Sequence, residues 1–393
     1  MRVLHVIPGL ASRTGGPVPY VLESSLALAA HGIQTTTFAT DIGHAASAGR
    51  LQRIAPGELL EAAAGLDVRL FPVRPPHRLT FSPALYRALA HEIGRYDVVH
   101  VHSLFLFPQF AVHRQAARRG VPYVVSPHGS LDPVLRGRGR LRKGVTDLLW
   151  QRTFLERAAA LHLTTDEEAR LVADIAPSVP RAVVPVGIHW EHFQNLPSPD
   201  RFRQTFLAGH AGPVVLNLGR ISYKKGLDLL IRAFSLVSTR VDDAVLVLAG
   251  PDDEGLRPQL AGLAERAGVA ERVVFTGMLR GADRLGALAA ADVWALPSQT
   301  ENFGIAVVEA LAAGCATLVS PAVNLAPELE RAGAAIVCRN DEHEFAEAIV
   351  RLLEDDAGRR ALGERGREFA RRYDWPRVAP GLAALYAGVV SRG

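Results

Sequence analysis

Lysine is almost missing from this chain. Its 393 residues include 41 arginines and only three lysines, Lys143, Lys224 and Lys225. Two of the three stand together at Lys224 and Lys225, where a compact ammonium points to a demand that the compositional bias does not explain. Cysteine is as scarce: Cys315 and Cys338 form neither a metal-ligand spacing nor a disulfide framework and read as buried free thiols. No run approaches the roughly 18 apolar residues of a membrane-spanning helix, and the opening MRVLHVIPGL lacks the length and cleavage site of a signal peptide, which points to the cytoplasm. No strict Asp-x-Asp occurs, and the adjacent pairs Asp242-Asp243 and Asp252-Asp253 read as turn residues. Paired carboxylates clamping a divalent ion are therefore not expected, and neither a metal nor a cofactor is predicted.

What is present is ordinary globular material, 48% hydrophobic and 21% charged, long enough for two domains. The charge is uneven. Residues 1–193 hold 21 Lys+Arg against 15 Asp+Glu, whereas the remainder hold 23 against 25. Much of the excess lies in Arg136, Arg138, Arg140, Arg142 and Lys143, interleaved with glycines as in a loop leading into a helix. A solvated loop accounts for this segment, as does contact with an anionic membrane surface or a phosphate-bearing acceptor. Nucleic acid is disfavoured because no aromatic residues interleave the charges.

Short Val/Leu/Ile runs alternate with amphipathic segments of helical length, the pattern of a parallel sheet covered on both faces, and the pattern occurs twice. Strands are expected at RVLHVIP, QTTTFAT, DVRLFPV, DVVHVHS, PYVVSPH, ALHLTT and RAVVPVG, then at PVVLNLG, AVLVLAG, RVVFTG, VWALPS, ATLVS and AAIVC. The polar, proline-marked stretch Trp190–Asp200 reads as the linker. The fold class is α/β, with two Rossmann-like doubly wound domains, 1–190 and 200–375, facing across a cleft that is the default ligand site. A C-terminal helix, 376–393, follows.

Glycines at Gly15 and Gly16, between the first strand and the first helix, would let backbone N–H groups approach an anion, although any tight turn also uses glycine. The spacing is not that of a dinucleotide fingerprint, so hydride chemistry is disfavoured. After the strand PVVLNLG come Arg220 and Lys225, two cations at one helix N-terminus, suited to a pyrophosphate. His128, in SPHGS, stands at a strand end, where structural and ligand-binding roles are both common. His100 and His102 alternate with valines and share one strand face, with a metal pair a minor alternative. In ENFGIAVVEA, Glu301 precedes a helix closed by Gly314 and Glu309 lies inside it. Eight positions span roughly 12 Å if helical. That is too long for one hexose and about right for a sugar joined through a diphosphate to a nucleoside, its phosphates over the helix N-terminus.

The set of Gly-Gly in the first loop, His128-Gly129, Gly219-Arg220 with Lys225-Gly226, and Glu301-x-Phe303-Gly304 followed by Glu309 resembles the retaining glycosyltransferases of family 4, which have the GT-B fold. The segments SPHGSLDP and ALHLTTDEEARL further resemble the branch assembling exopolysaccharide and lipopolysaccharide. The resemblance implies a metal-independent, retaining hexosyl transfer from a UDP- or GDP-linked sugar to a growing, lipid-linked saccharide at the inner face of the plasma membrane. It implies that Arg220 and Lys225 neutralise the donor diphosphate, that Glu309 holds the ribose and Glu301 the donor sugar, and that His128 lies beside the transferred sugar. Asn302 and the backbone of Phe303, Gly304 and Ile305 would contact the donor, with Gly15 and Gly16 completing the phosphate grip. The C-terminal helix would cross back to the first domain. Departures stand at Pro185-Val186-Gly187-Ile188-His189, where the family has Pro-Asn-Gly, and at Gly314-Cys315-Ala316-Thr317, where it has Gly-x-Pro-Val. A non-catalytic nucleotide-sugar-binding assembly subunit and a nucleotide-sugar 2-epimerase of the same fold are the alternatives.

Overall fold

A computed structural model describes residues 1–11, 16–43, 52–53, 65–133 and 147–392. The chain forms two compact units, Met1–Gly187 with Trp375–Gly393 and Ile188–Asp374.

The first unit carries strands β1 (Arg2–Gly9), β2 (Gln34–Thr40), β3 (Gln52–Arg53), β4 (Asp67–Phe71), β5 (Val98–His102), β6 (Tyr123–Ser126), β7 (Ala160–Leu163) and β8 (Arg181–Val183). Its helices are α1 (Pro17–Ala29), α2 (Pro83–Glu92), α3 (Phe107–Arg119), α4 (Arg152–Glu156) and α5 (Asp166–Leu171). The sheet order is β3-β4-β2-β1-β5-β6-β7-β8. All pairings are parallel except that of the short, unexpected β3 with β4. Alternation along β1 sends Leu4 and Val6 into the core shared with α2 and α3, and Val3 and Ile7 into the opposite one. That second face is covered by α1 and by the C-terminal helix, whose Trp375, Val378, Leu382, Tyr386 and Val389 are buried there. Gly187 permits the close approach of this helix, since a Cβ there would lie 2.3 Å from the Trp375 ring.

The second unit has α6 (Pro199–Phe206), β9 (Val214–Leu218), α7 (Leu227–Val237), β10 (Val245–Ala249), α8 (Arg257–Arg266), β11 (Val273–Gly277), α9 (Gly281–Ala290) and β12 (Val293–Leu296). It continues with α10 (Ile305–Ala313), β13 (Ala316–Val319), α11 (Ala326–Arg331), β14 (Ile336–Val337), α12 (Glu342–Glu354) and α13 (Asp356–Ala370). The C-terminal helix of the first unit, Trp375–Val390, is α14. The second sheet, β11-β10-β9-β12-β13-β14, is parallel throughout. Its core includes the fully buried Leu230, Phe234, Leu246 and Phe345, side chains whose burial stabilises by about 1.5–3 kcal/mol each.

The division between units falls at Gly187/Ile188, upstream of the expected linker. Trp190 and Phe193 are apolar enough to be buried, forming a 3₁₀ turn of the second unit, and Ser198 caps α6. RAVVPVG and AAIVC keep only three and two residues in strand, respectively.

Among the parallel strands of each sheet the chain order reverses once. In the first unit the switch lies between β1 and β5, and in the second between β9 and β12. At such a point neighbouring strands send their following loops in opposite directions and leave a crevice at the carboxyl ends. The second crevice depends on Gly226, the residue before α7, which adopts φ +63° while a Cβ there would lie 2.1 Å from the Pro297 carbonyl oxygen. Gly226→Ala should destabilise the second unit by more than the roughly 1–2 kcal/mol of a left-handed alanine alone. Denaturant unfolding of the variant measures this, and an unchanged midpoint would show that the loops after β9 and β12 do not need this contact.

Candidate functional site

The loops after β9 and β12 are locked together. Gln299 N–H donates to the Lys224 carbonyl over 2.7 Å. Glu254 accepts from the Ser222 hydroxyl (2.7 Å) and the Tyr223 N–H (3.1 Å), which holds the turn that presents Lys225. The Lys225 ammonium forms an ion pair with the Glu301 carboxylate, both side chains largely buried. Glu301 is itself pinned through its backbone: its N–H donates to Ala322 O (2.9 Å) and its carbonyl accepts from Asn324 N–H (3.0 Å). Asn302 accepts from the Asn324 side-chain amide at 3.3 Å. Phe303 is buried edge-on against Tyr373, and Gly304, at φ +76°, turns the chain into α10, whose first N–H groups have no intrahelical acceptor. Inside α10, Glu309 pairs with Arg284 of α9. Arg220, partly exposed, follows β9 by two residues.

Gly16 caps α1 in the right-handed region, and a Cβ added there would meet nothing within 4 Å among the described residues, so backbone conformation does not demand glycine. Gly15 and the basic segment Arg136, Arg138, Arg140, Arg142 and Lys143 lie outside the described residues.

On the α1/α14 face of the first sheet, β1, β5 and β7 carry histidines where apolar residues would ordinarily sit. His5, His100, His102 and His162 are buried, and His128, just past β6, is partly exposed. Register explains the cluster: His5 pairs with His100 and His102 with Ser126, so their side chains share one face. The turn at His128 (φ +48°) and Gly129 (φ +74°) is strained for the non-glycine residue. Buried Glu168 secures it, accepting from Gly129 N–H at 3.1 Å and from the Thr164 N–H and hydroxyl at 2.8 and 2.9 Å.

One hydrogen-bond chain in this cluster has a fixed direction. The Val184 carbonyl only accepts, so His162 Nε2 carries the proton of that 2.8 Å contact and Nδ1 accepts from the Ser126 hydroxyl at 2.7 Å. Ser126 then accepts from His100 Nε2 at 2.6 Å, and His100 Nδ1 accepts from Tyr386 at 2.7 Å. All members are neutral. A second chain runs from His5 Nδ1 to His102 Nε2 and from His102 Nδ1 to His128 Nε2, each 2.9 Å. Ring nitrogens of His5, His100 and His102 lie within 4.8 Å of one another, close enough for a shared metal ion. Both nitrogens of His100 and of His102 are already engaged in hydrogen bonds.

Two family models match the chain: a glycosyl transferase 4-like domain over residues 15–187 and glycosyl transferases group 1 over residues 200–369. The D-inositol 3-phosphate glycosyltransferase of Mycobacterium ulcerans is 30% identical, across 95% of this chain and 81% of its own. The chain belongs to the family 4 glycosyltransferases. The phosphatidyl-myo-inositol mannosyltransferase of Mycobacterium leprae is 30% identical across 80% of each chain. Among solved structures, Anabaena HepE with UDP-glucose superposes at TM-score 0.80 and 19% identity, covering 99% of this chain and 100% of that one. WaaG, a glycosyltransferase of lipopolysaccharide biosynthesis, superposes at 0.70 and 19%, covering 98% and 100%. The fold is GT-B, and the protein is a glycosyltransferase.

Of the residues singled out in the sequence, this glycosyltransferase brings Lys225 and Glu301 into direct contact and places Asn302, Phe303, Gly304, Ile305 and Glu309 on the adjoining loop and helix. Sequence reasoning missed Arg284, Glu254, Glu168, His5 and His162. Thr165-x-x-Glu168 does carry a capping-box spacing, and Thr165 does cap α5. The Glu168 carboxylate turns instead to the His128 loop.

Burial pushes His5 and His128 down to about 3 and His162 to about 4, with His100 and His102 also well below the ordinary 6.5. Mutual repulsion among the rings adds to the depression of His5, His100, His102 and His128. Below an unfolded-state value of about 6.5 the unfolded chain binds more protons than the folded one. Stability is therefore full above that pH and is lost as pH falls, by up to about 1.4 kcal/mol per pH unit for each histidine. Thermal unfolding followed between about pH 7 and pH 4.5 should show a midpoint dropping steeply from the histidine range. A midpoint that stays level until the carboxylates titrate would mean that the five rings are not held neutral.

Proposed function

We propose that this glycosyltransferase moves a hexose, with retention and without a metal ion, from a UDP- or GDP-linked sugar to a lipid-linked or phosphate-bearing saccharide or polyol acceptor. The observation that carries the reading is the pair of carboxylates before and within α10, each held by its own cation: Glu301 by Lys225 and Glu309 by Arg284. In this reading the donor diphosphate sits at the N-terminus of α10 and takes Lys225 and Arg220 as counter-charges, which stabilise the departing nucleoside diphosphate in place of a metal. Glu309, oriented by Arg284, accepts the ribose hydroxyls. Glu301 accepts hydroxyls of the donor sugar, and His128 orients that sugar beside its anomeric carbon. Asn302 and the backbone of Phe303, Gly304 and Ile305 complete the grip. Retention follows from front-face attack, the leaving phosphate oxygen taking the acceptor proton. The two-carboxylate route of glycosidases is not invoked.

Relatives named for D-inositol 3-phosphate and phosphatidyl-myo-inositol, and a structural neighbour named for lipopolysaccharide biosynthesis, support an acceptor that carries phosphate or lipid. Such an acceptor suits a chain whose first half is the more basic.

The ion pairs give the signs of the tests. Lys225 is neutralised by Glu301 before donor arrives, so Glu301→Ala should leave nucleoside-diphosphate affinity equal or higher while lowering turnover about a hundredfold. Lys225→Ala should weaken that affinity. Arg284→Ala should weaken it roughly tenfold or more, through loss of the charge-assisted bond that orients Glu309. Calorimetry with UDP and GDP, alongside donor hydrolysis, separates the three, and unchanged turnover in Glu301→Ala would remove that residue from the mechanism. Binding of nucleotide sugar without any hydrolysis or transfer would favour the assembly-subunit alternative. Transfer should also persist in excess chelator, and its abolition would overturn the metal-free mechanism.

A further inference from the structure

The chain His5–His102–His128 has two self-consistent proton arrangements. With all three rings neutral, each carries one N–H. In the first arrangement His5 Nδ1 donates to His102 Nε2, His102 Nδ1 donates to His128 Nε2, and the His128 proton sits on Nδ1. In the second every donation is reversed and the last proton falls on His5 Nε2. The inner end of the chain discriminates between them, because His5 Nε2 is buried with no hydrogen-bond partner among the described residues. The second arrangement would leave an N–H there with no acceptor, the costlier form of an unmade hydrogen bond. The first leaves only an unused lone pair.

We propose that His5 and His102 are positioning residues that fix His128 as the neutral Nδ1–H tautomer, so that its ring presents a hydrogen-bond donor to a hydroxyl oxygen of the transferred sugar.

The remaining freedoms of the His128 ring are already restricted. The ring stacks on His102 with centroids 5.2 Å apart and planes 20° apart, and Gly129 N–H is tied to Glu168. What the histidine chain adds is the choice of proton position, which packing alone does not make. The first hydrogen-bond chain, from Tyr386 to Val184, is fixed separately by the Val184 carbonyl at its end, so its direction does not set that of the second. A neutral ring whose basicity is depressed by burial is suited to donating a hydrogen bond and poorly suited to taking a proton, so His128 acts here as an orienting donor.

The role of His128 against the sugar rests on the proposed function. The tautomer does not, and the experiment keeps the two apart. The full chain is labelled with ¹⁵N-histidine, and two-bond nitrogen–proton correlations are recorded at neutral pH without ligand, with His128→Gln assigning the His128 signals by their loss. The expected pattern is a protonated Nδ1 and an unprotonated Nε2. An Nε2–H tautomer, or an averaged ring, overturns the proposal whatever the enzyme transfers. In the kinetic arm, His102→Phe should lower kcat about tenfold and leave His128 in mixed tautomers. His102→Asn, whose amide can donate from the position of Nδ1, should restore much of the rate and the Nδ1–H pattern. Equal losses in the two variants with the His128 tautomer unchanged would make His102 a packing residue only. A stoichiometric metal ion on His5, His100 and His102 in the purified protein would also overturn the proposal. A correct tautomer with no kinetic effect would leave the hydrogen-bond chain standing and remove His128 from the transfer.

Discussion

The second unit is organised around one ion pair, Lys225 with Glu301. The two residues are 76 positions apart in sequence and meet because β9 and β12 are neighbours at the point where strand order reverses. Everything nearby limits their movement. Gly226 lets the loop after β9 pass against Pro297, Glu254 ties down Ser222 and Tyr223, and the backbone of Glu301 is bridged to Ala322 and Asn324. A partly buried pair gains more from attraction than an exposed one but is also desolvated, so its geometry has to be supplied by the frame. Parallel-strand topology therefore comes first here, and electrostatics uses the position that topology provides.

The first unit solves the opposite problem. Its α1/α14 face carries five histidines toward the strand ends, and none can be charged without a large desolvation cost. Neutral rings are tolerated there because each has one donor and one acceptor and can be joined head to tail. The Tyr386–His100–Ser126–His162–Val184 chain does this completely, with Tyr386 arriving from the C-terminal helix. That helix closes the apolar core and also supplies the donor at the head of a polar network. A half-satisfied network would be worse than an apolar one, and His5 Nε2, without a partner among the described residues, is the place where the network's direction is decided.

Much of this was legible in the sequence. The alternating apolar runs marked the sheets, and Glu301, Lys225 and His128 were visible because charged or titratable residues in short strand-end loops have few structural reasons to be there, while Glu309 was visible as a lone carboxylate in the apolar helix IAVVEALAA. Arg284 was not visible. It lies on an amphipathic helix of a chain with 41 arginines, and nothing local distinguishes it from a solvated one until α9 is packed beside α10. His5 and His162 were hidden for a related reason. Each is a polar residue set among apolar neighbours in its strand, and only register between β1, β5, β6 and β7 shows that these exceptions share a face. Trp190 and Phe193 misled in the other direction, since proline and polar neighbours suggested a linker while the two aromatics were heading for a core.

The lysine at position 225 has a physical reading. An arginine at position 225 would offer a planar fork able to take both carboxylate oxygens of Glu301 at once, and such a bidentate pair is slow to surrender either partner. Lysine offers a compact ammonium on a flexible stem. That head lies near Gly219, where a Cβ would come into ordinary contact at 3.9 Å from Nζ. Under the proposed function, a single ammonium holds one Glu301 oxygen and can turn toward the donor phosphate without breaking two matched hydrogen bonds. Arginine elsewhere in the site suits groups meant to stay where they are, as Arg284 does for Glu309. Under the proposed function, a lysine at position 225 of an arginine-biased chain suits a cation that exchanges partners.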